Sequence, residues 1–131
     1  MINPATADPP TVLVVDDVDD ARELMAHVLG SAGFRVVDAS SGLEAIRLAA
    51  AHVPAVILMD LFMPGLDGIT ASRQIKGNPD LRHIPIVAWT ARPGPLVDHA
   101  GLFAGTIVKP CPPDRILALV RSLTDGSAAS P

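Results

Sequence analysis

The chain has 131 residues, room for one domain, and its 49% hydrophobic and 18% charged residues exclude a wholly disordered polymer. A formal charge of −4 with no basic run, 3% aromatic residues and no tyrosine argue against binding nucleic acid through phosphates or stacked bases. The single cysteine, Cys111, excludes an internal disulfide and a zinc cluster built from thiolates.

Residues 1–10, MINPATADPP, have no basic start and no apolar stretch, so they do not read as a secretory signal; they are expected to form a loose tail. No window approaches the roughly 18 consecutive apolar residues that cross a bilayer, and with the lone cysteine this favours a cytoplasmic protein. Thr11–Val15 is a continuous apolar, β-branched run and predicts the first strand. Ala21, Leu24, Met25, Val28, Leu29 and Ala32 follow helical spacing, and Gly33 stands where a helix C-cap glycine belongs. Arg35–Ala39 is a weaker strand run. Leu43, Ile46 and Ala50 predict a short second helix. Ala55–Met59 is again continuous and apolar, Met63-Pro64-Gly65 makes a turn, and Asp67-Gly68 caps a helix over Ile69–Lys76. Ile84–Trp89 and Thr106–Val108 predict the last two strands. Between them, Pro93-Gly94-Pro95 leaves room only for a loop and a short helix, Leu96–Phe103. Ile116, Leu117, Val120 and Leu123 close the pattern, and residues 125–131, DGSAASP, predict a second loose tail. The folded part is therefore expected at 11–124. Runs apolar on both faces suit a parallel sheet, so five alternations of strand and helix predict an α/β fold with helices on both faces.

Polar residues cluster where the apolar runs end. Asp16 and Asp17 follow the first run, Asp60 the third, Thr90 the fourth and Lys109 the fifth. In an open parallel sheet, ligands bind beyond the carboxyl ends of the strands, so these residues are expected to converge. Carboxylates held close together repel and call for a compensating cation. Mg²⁺ uses one or two carboxylates, waters and a phosphoryl oxygen. A carboxylate can also attack phosphorus to form an acyl phosphate, and a lysine, a hydroxyl and a metal stabilise the charge on the transferring group. Judged alone, Asp16-Asp17 reads more readily as a helix cap, and Thr90 retains a lesser reading as an ordinary strand end. Lys109 is one of two lysines in the chain and directly follows a run expected to form a buried strand. Cys111 reads as incidental, and His27, His52, His83 and His99 as surface residues without ligand spacing.

The segments VLVVDD (12–17), ILMDLFMPGLDG (57–68), IPIVAWTA (84–91) and GTIVKP (105–110) together resemble the receiver domain of bacterial two-component response regulators, particularly the single-domain chemotaxis type. The resemblance covers essentially 11–124. It implies a flavodoxin-like (βα)5 fold, a doubly wound five-stranded parallel sheet in the order 2-1-3-4-5. It also implies Mg²⁺-dependent phosphoryl transfer from a histidine kinase or histidine phosphotransfer protein to Asp60, with signalling through a downstream protein and no direct nucleic acid or membrane partner. On this resemblance Asp17 and Asp60 bind the metal, Asp16 binds it mainly through water, and the backbone carbonyl of Phe62 completes the protein ligands. Thr90 is the switch hydroxyl, Lys109 pairs with the phosphate, and the Lys109–Pro110 peptide is cis.

Three departures bear on the expected switch. Thr106 stands where many receivers carry a mobile aromatic ring. Phe62 is bulky and apolar beside the acceptor. The interval from Thr90 to Lys109 is short, which directs the expected rearrangement to the segment Ala91–Leu102. The leading expectation is a single-domain response regulator. The alternative is a receiver module of a larger hybrid histidine kinase or DNA-binding regulator. A phosphatase of the haloacid dehalogenase type would need a second Asp two residues after the first, where Phe62 stands.

Overall fold

The apolar runs form five parallel strands in the order β2-β1-β3-β4-β5. They are β1 Thr11–Val15, β2 Arg35–Ala39, β3 Val56–Asp60, β4 Ile86–Thr90 and β5 Gly105–Val108. The computed structural model describes residues 9–91 and 101–129, with side chains described through Thr124. Among these residues the helices are α1 Asp19–Ser31, α2 Gly42–His52, α3 Gly68–Gly77 and α4 Pro113–Ala129.

Alternation along the central strands builds two cores. Leu13, Val15, Ile57, Met59, Ile86 and Ala88 face one way and pack with Ala45, Ala49, Ala71 and Ile75 of α2 and α3. Val12, Val14, Val56, Leu58, Val87, Trp89 and Ile107 face the other way and pack with Met25, Leu29, Ile116 and Val120 of α1 and α4. Burial on both faces explains why β1, β3 and β4 read as unbroken apolar runs. β2 lies at one edge, so its outer positions Arg35 and Asp38 are exposed and its sequence signal is weaker. β5 is the opposite edge.

Several boundaries differ from the sequence expectation. Ile84 and Pro85 precede β4, which begins at Ile86 and ends at Thr90; the Pro85 carbonyl accepts the N–H of Ile57 at 3.0 Å. The expected inward stripe of α2 is rotated. Leu43 is 70% exposed, and Gly42, Ala45 and Ala49 are the buried positions. The cause is close approach: a Cβ on Gly42 would stand 2.5 Å from the carbonyl oxygen of Leu66, so the small-residue face must turn inward. Gly33 does terminate α1, with φ +98° and its N–H on the carbonyl of Gly30. Asp67 caps α3, accepting the N–H of Thr70 at 2.8 Å. α4 runs to Ala129, past the tail expected from residue 125, because this Ala- and Ser-containing stretch carries no proline before Pro131 to stop a helix. Of the expected helix Leu96–Phe103, residues 101 and 102 form a turn and Phe103 packs against the α2–α3 core. Residues 92–100, including Pro93-Gly94-Pro95 and His99, lie outside the described residues, as do residues 1–8 and 130–131. His27, His52 and His83 are exposed as expected.

Candidate functional site

The carboxyl ends of β1, β3, β4 and β5 carry the polar residues that the apolar runs left over. Asp16 follows β1 and is fully buried; its N–H reaches the carbonyl of Ala39 at 3.1 Å. Its Oδ1 accepts the N–H of Val18 at 2.9 Å, which turns the chain into α1. Val18, with extended backbone, is the N-cap of α1, so neither Asp16 nor Asp17 is engaged as the helix cap. Arg22, one turn into α1, braces this loop from three sides. It donates to the carbonyl of Asp16 at 2.9 Å, to Asp19 at 2.7 Å and to Asp38 of β2 at 3.1 Å. Asp17 is more open than Asp16 and is ion-paired to none of the described basic groups.

Asp60 ends β3 and is 5% exposed. Its Oδ1 accepts the N–H of Phe62 at 3.1 Å. The backbone beneath it is clamped by the start of α3, where a Cβ on Gly68 would stand 2.0 Å from the Asp60 carbonyl oxygen and 2.8 Å from Leu61 Cα. Gly68 is therefore more than a turn residue; only glycine lets α3 approach the strand end so closely. The turn over 63–67 contains Gly65 at φ +79°.

Lys109 joins the two buried carboxylates. Its Nζ lies 2.8 Å from Asp16 Oδ2 and 3.5 Å from Asp60 Oδ2. Its N–H donates to the carbonyl of Thr90 at 2.8 Å, which ties the end of β5 to the end of β4, and the Lys109–Pro110 peptide is cis. Thr90 is fully buried at the same sheet edge. Asp17, Val18, Asp60, Phe62, Ala91 and Lys109 line an open cleft of about 400 Å³.

Burial pushes the Asp60 carboxyl up to about 6; the Phe62 N–H and the Lys109 ammonium pull it down, and Asp16 adds to the rise. The carboxylate oxygens of Asp16, Asp17 and Asp60 lie within 4.8 Å of one another. This all-oxygen, multiply anionic donor set fits a hard divalent cation such as Mg²⁺. Asp17 has the freer oxygens: both Asp16 oxygens accept protein donors, and Asp60 holds the Phe62 N–H on Oδ1 and faces Lys109 with Oδ2 at the longer distance of 3.5 Å.

The structure thus brings together Asp16, Asp17, Asp60 and Lys109, with the Phe62 backbone and the end of β4 beside them. Trp89, read from sequence only as part of an apolar strand, also belongs here: the Lys109 Nζ lies 4.2 Å from its ring centroid. Its position opposite Asp60 in the β3–β4 register was the signal that could have found it. The bracing by Arg22 left only a partial trace: its pairing with Asp19 three residues earlier is local, whereas Asp38 lies on β2.

The family model for the response regulator receiver domain matches residues 12–121. The response regulator PleD of Caulobacter vibrioides is 39% identical over 116 residues, covering 86% of this chain and 26% of PleD. The polar-differentiation response regulator DivK of Brucella anthropi is 35% identical over 83 residues, covering 63% of this chain and 68% of DivK. Among solved structures, the chemotaxis protein CheY4 of Vibrio cholerae superposes with a TM-score of 0.83 at 28% identity, covering 88% of this chain and 98% of CheY4. The signal receiver domain of a histidine kinase from Syntrophus aciditrophicus gives 0.84 at 29% identity, covering 93% of this chain and 95% of that domain.

Proposed function

Because this chain belongs to the response regulator receiver family, we propose that Asp60 is its phosphoryl acceptor and that Asp16, Asp17, Asp60 and the carbonyl of Phe62 form its Mg²⁺ site. Receiver domains take phosphate from histidine kinases and act on downstream protein partners. The proposed donor is a histidine kinase or histidine phosphotransfer protein, the proposed target another protein, and the proposed setting cytoplasmic. Among the described residues no helix is long and apolar enough to cross a membrane.

The observation that carries this reading is the ammonium of Lys109, set 2.8 Å from Asp16 and 3.5 Å from Asp60 beside an open cleft. In the proposed transfer a carboxylate oxygen of Asp60 attacks phosphorus. The phosphorus–nitrogen bond to the donor histidine breaks and the imidazole leaves with its electron pair. The Phe62 N–H holds Oδ1, while Oδ2 faces Lys109. The ammonium offsets charge on the equatorial oxygens of the moving group. Mg²⁺ held by Asp16, Asp17, Asp60 and the Phe62 carbonyl would supply positive charge against the anionic group in transfer. The Thr90 hydroxyl is the proposed switch group, and the Phe62 ring, 40% exposed, flanks the cleft where water would approach the acyl phosphate. The proposed rearrangement of Ala91–Leu102 falls mostly outside the described residues.

Intact mass measured after incubation with acetyl phosphate and Mg²⁺ tests the assignment. The parent chain should gain one phosphoryl group and Asp60→Asn none. Equal rates of gain in the two proteins would show the assignment to be wrong. The chain spans about a quarter of the length of PleD, which favours as a second reading the same site within a receiver module of a longer regulator.

A further inference from the structure

Trp89 is the sole tryptophan of the chain and is 6% exposed. Its Cα is paired with Asp60 on one side and Ile107 on the other, so it faces the α1–α4 side of the sheet together with Asp60. Two residues beyond Ile107, Lys109 has the same alternation, and its ammonium lies 4.2 Å from the Trp89 ring centroid. The ammonium is thus held between two carboxylates, at 2.8 and 3.5 Å, and one ring face. These restraints differ in kind. Carboxylate oxygens are the groups that a divalent cation or a phosphoryl transfer engages, so their hold on Lys109 loosens when the site is used. The ring face offers a quadrupole that neither a hard cation nor a phosphoryl oxygen competes for. A lysine on a flexible four-carbon stem loses the most placement when its anionic partners turn elsewhere.

We propose that Trp89 is a positioning residue for Lys109, its ring face holding the ammonium beside the acceptor while Asp16 and Asp60 engage metal and phosphoryl group. This rests on Asp60 being the acceptor. A filler tryptophan would act through its shape alone, whereas a positioning one acts through the charge distribution of its ring. Because Trp89 is the sole tryptophan, biosynthetic incorporation of fluorinated tryptophan alters this ring and no other, drawing charge from its face at nearly constant shape.

Two readouts decide the matter. In the metal-free parent, the ε-methylene protons of Lys109 should resonate upfield of ordinary lysine values through the ring current. With acetyl phosphate and Mg²⁺, the rate of phosphoryl gain should fall with each added fluorine, reaching about threefold, while the folded fraction stays constant. Unshifted Lys109 methylene protons, or a fluorinated protein that is phosphorylated at the parent's rate, would overturn the proposal. A parent protein that gains no phosphoryl group would instead condemn the acceptor assignment, and the methylene shift would still decide whether the ring holds the ammonium.

Discussion

Replacing Asp60 by Asn should stabilise the metal-free protein, and by an amount that depends on pH. Asp60 is 5% exposed, and its carboxyl is pushed from 3.8 to about 6, first by burial and then by Asp16, against the opposing pull of the Phe62 N–H and Lys109. The folded state therefore holds this proton more tightly than the unfolded chain does. Ionising Asp60 costs stability in full above about pH 6; the cost fades as pH falls and is gone below the unfolded value of 3.8. A rise of about two units corresponds to about 3 kcal/mol. Asparagine keeps an oxygen for the Phe62 N–H and removes the charge, leaving Lys109 paired with Asp16 at 2.8 Å. Urea unfolding without Mg²⁺ should show Asp60→Asn more stable than the parent by up to about 3 kcal/mol near pH 8, with the gap closing toward pH 4. A gap that is the same at both ends of that range would refute the reasoning, as would an Asn variant that is less stable at pH 8.

Mg²⁺ should raise the thermal midpoint of the parent by relieving repulsion among three close carboxylates, and should raise that of Asp17→Asn less; an unchanged parent midpoint at saturating Mg²⁺ contradicts the proposed metal site. Gly68→Ala should cost about 1–3 kcal/mol or more in urea unfolding, because the new methyl group meets the Asp60 carbonyl oxygen and the strand end must shift. Phosphoryl gain at Asp60 should slow in the same variant. Arg22→Ala should lose about 1–2 kcal/mol, and Arg22→Lys should recover little of it, since one ammonium cannot reach the Asp16 carbonyl, Asp19 and Asp38 together. Full recovery by lysine in urea unfolding would disprove the three-way brace.

The convergence of Asp16, Asp17, Asp60 and Lys109 was legible because each follows a continuous apolar run, and the ends of parallel strands lie on one edge. The helices were harder to read. Leu43 fits helical spacing and yet faces solvent, because the approach of Gly42 to Leu66 sets the rotation of α2, and that contact joins segments far apart in sequence. The same limitation hid Gly68 and Arg22. A glycine beside an aspartate reads as a cap, and nothing local distinguishes a cap from a clamp on a strand end eight residues upstream. Trp89 was hidden by its own chemistry: in a buried strand an indole reads as core until the register places an ammonium on its face.

The alternation of the strands has a genetic consequence. Asp60 and Trp89 face the α1–α4 side because each stands an even number of positions beyond the inward-facing Val56 or Val87 of its own strand. Removing one codon within β3 would exchange that strand's two faces and carry Asp60, the proposed acceptor, to the α2–α3 side. Substitutions at Val56 or Leu58 that preserve bulk leave the phase intact. In-frame single-codon insertions and deletions in β3 and β4 are therefore expected to abolish phosphoryl acceptance where many conservative replacements do not, making reading phase along the strand, more than side-chain identity in it, the property that a deletion scan would find least forgiving.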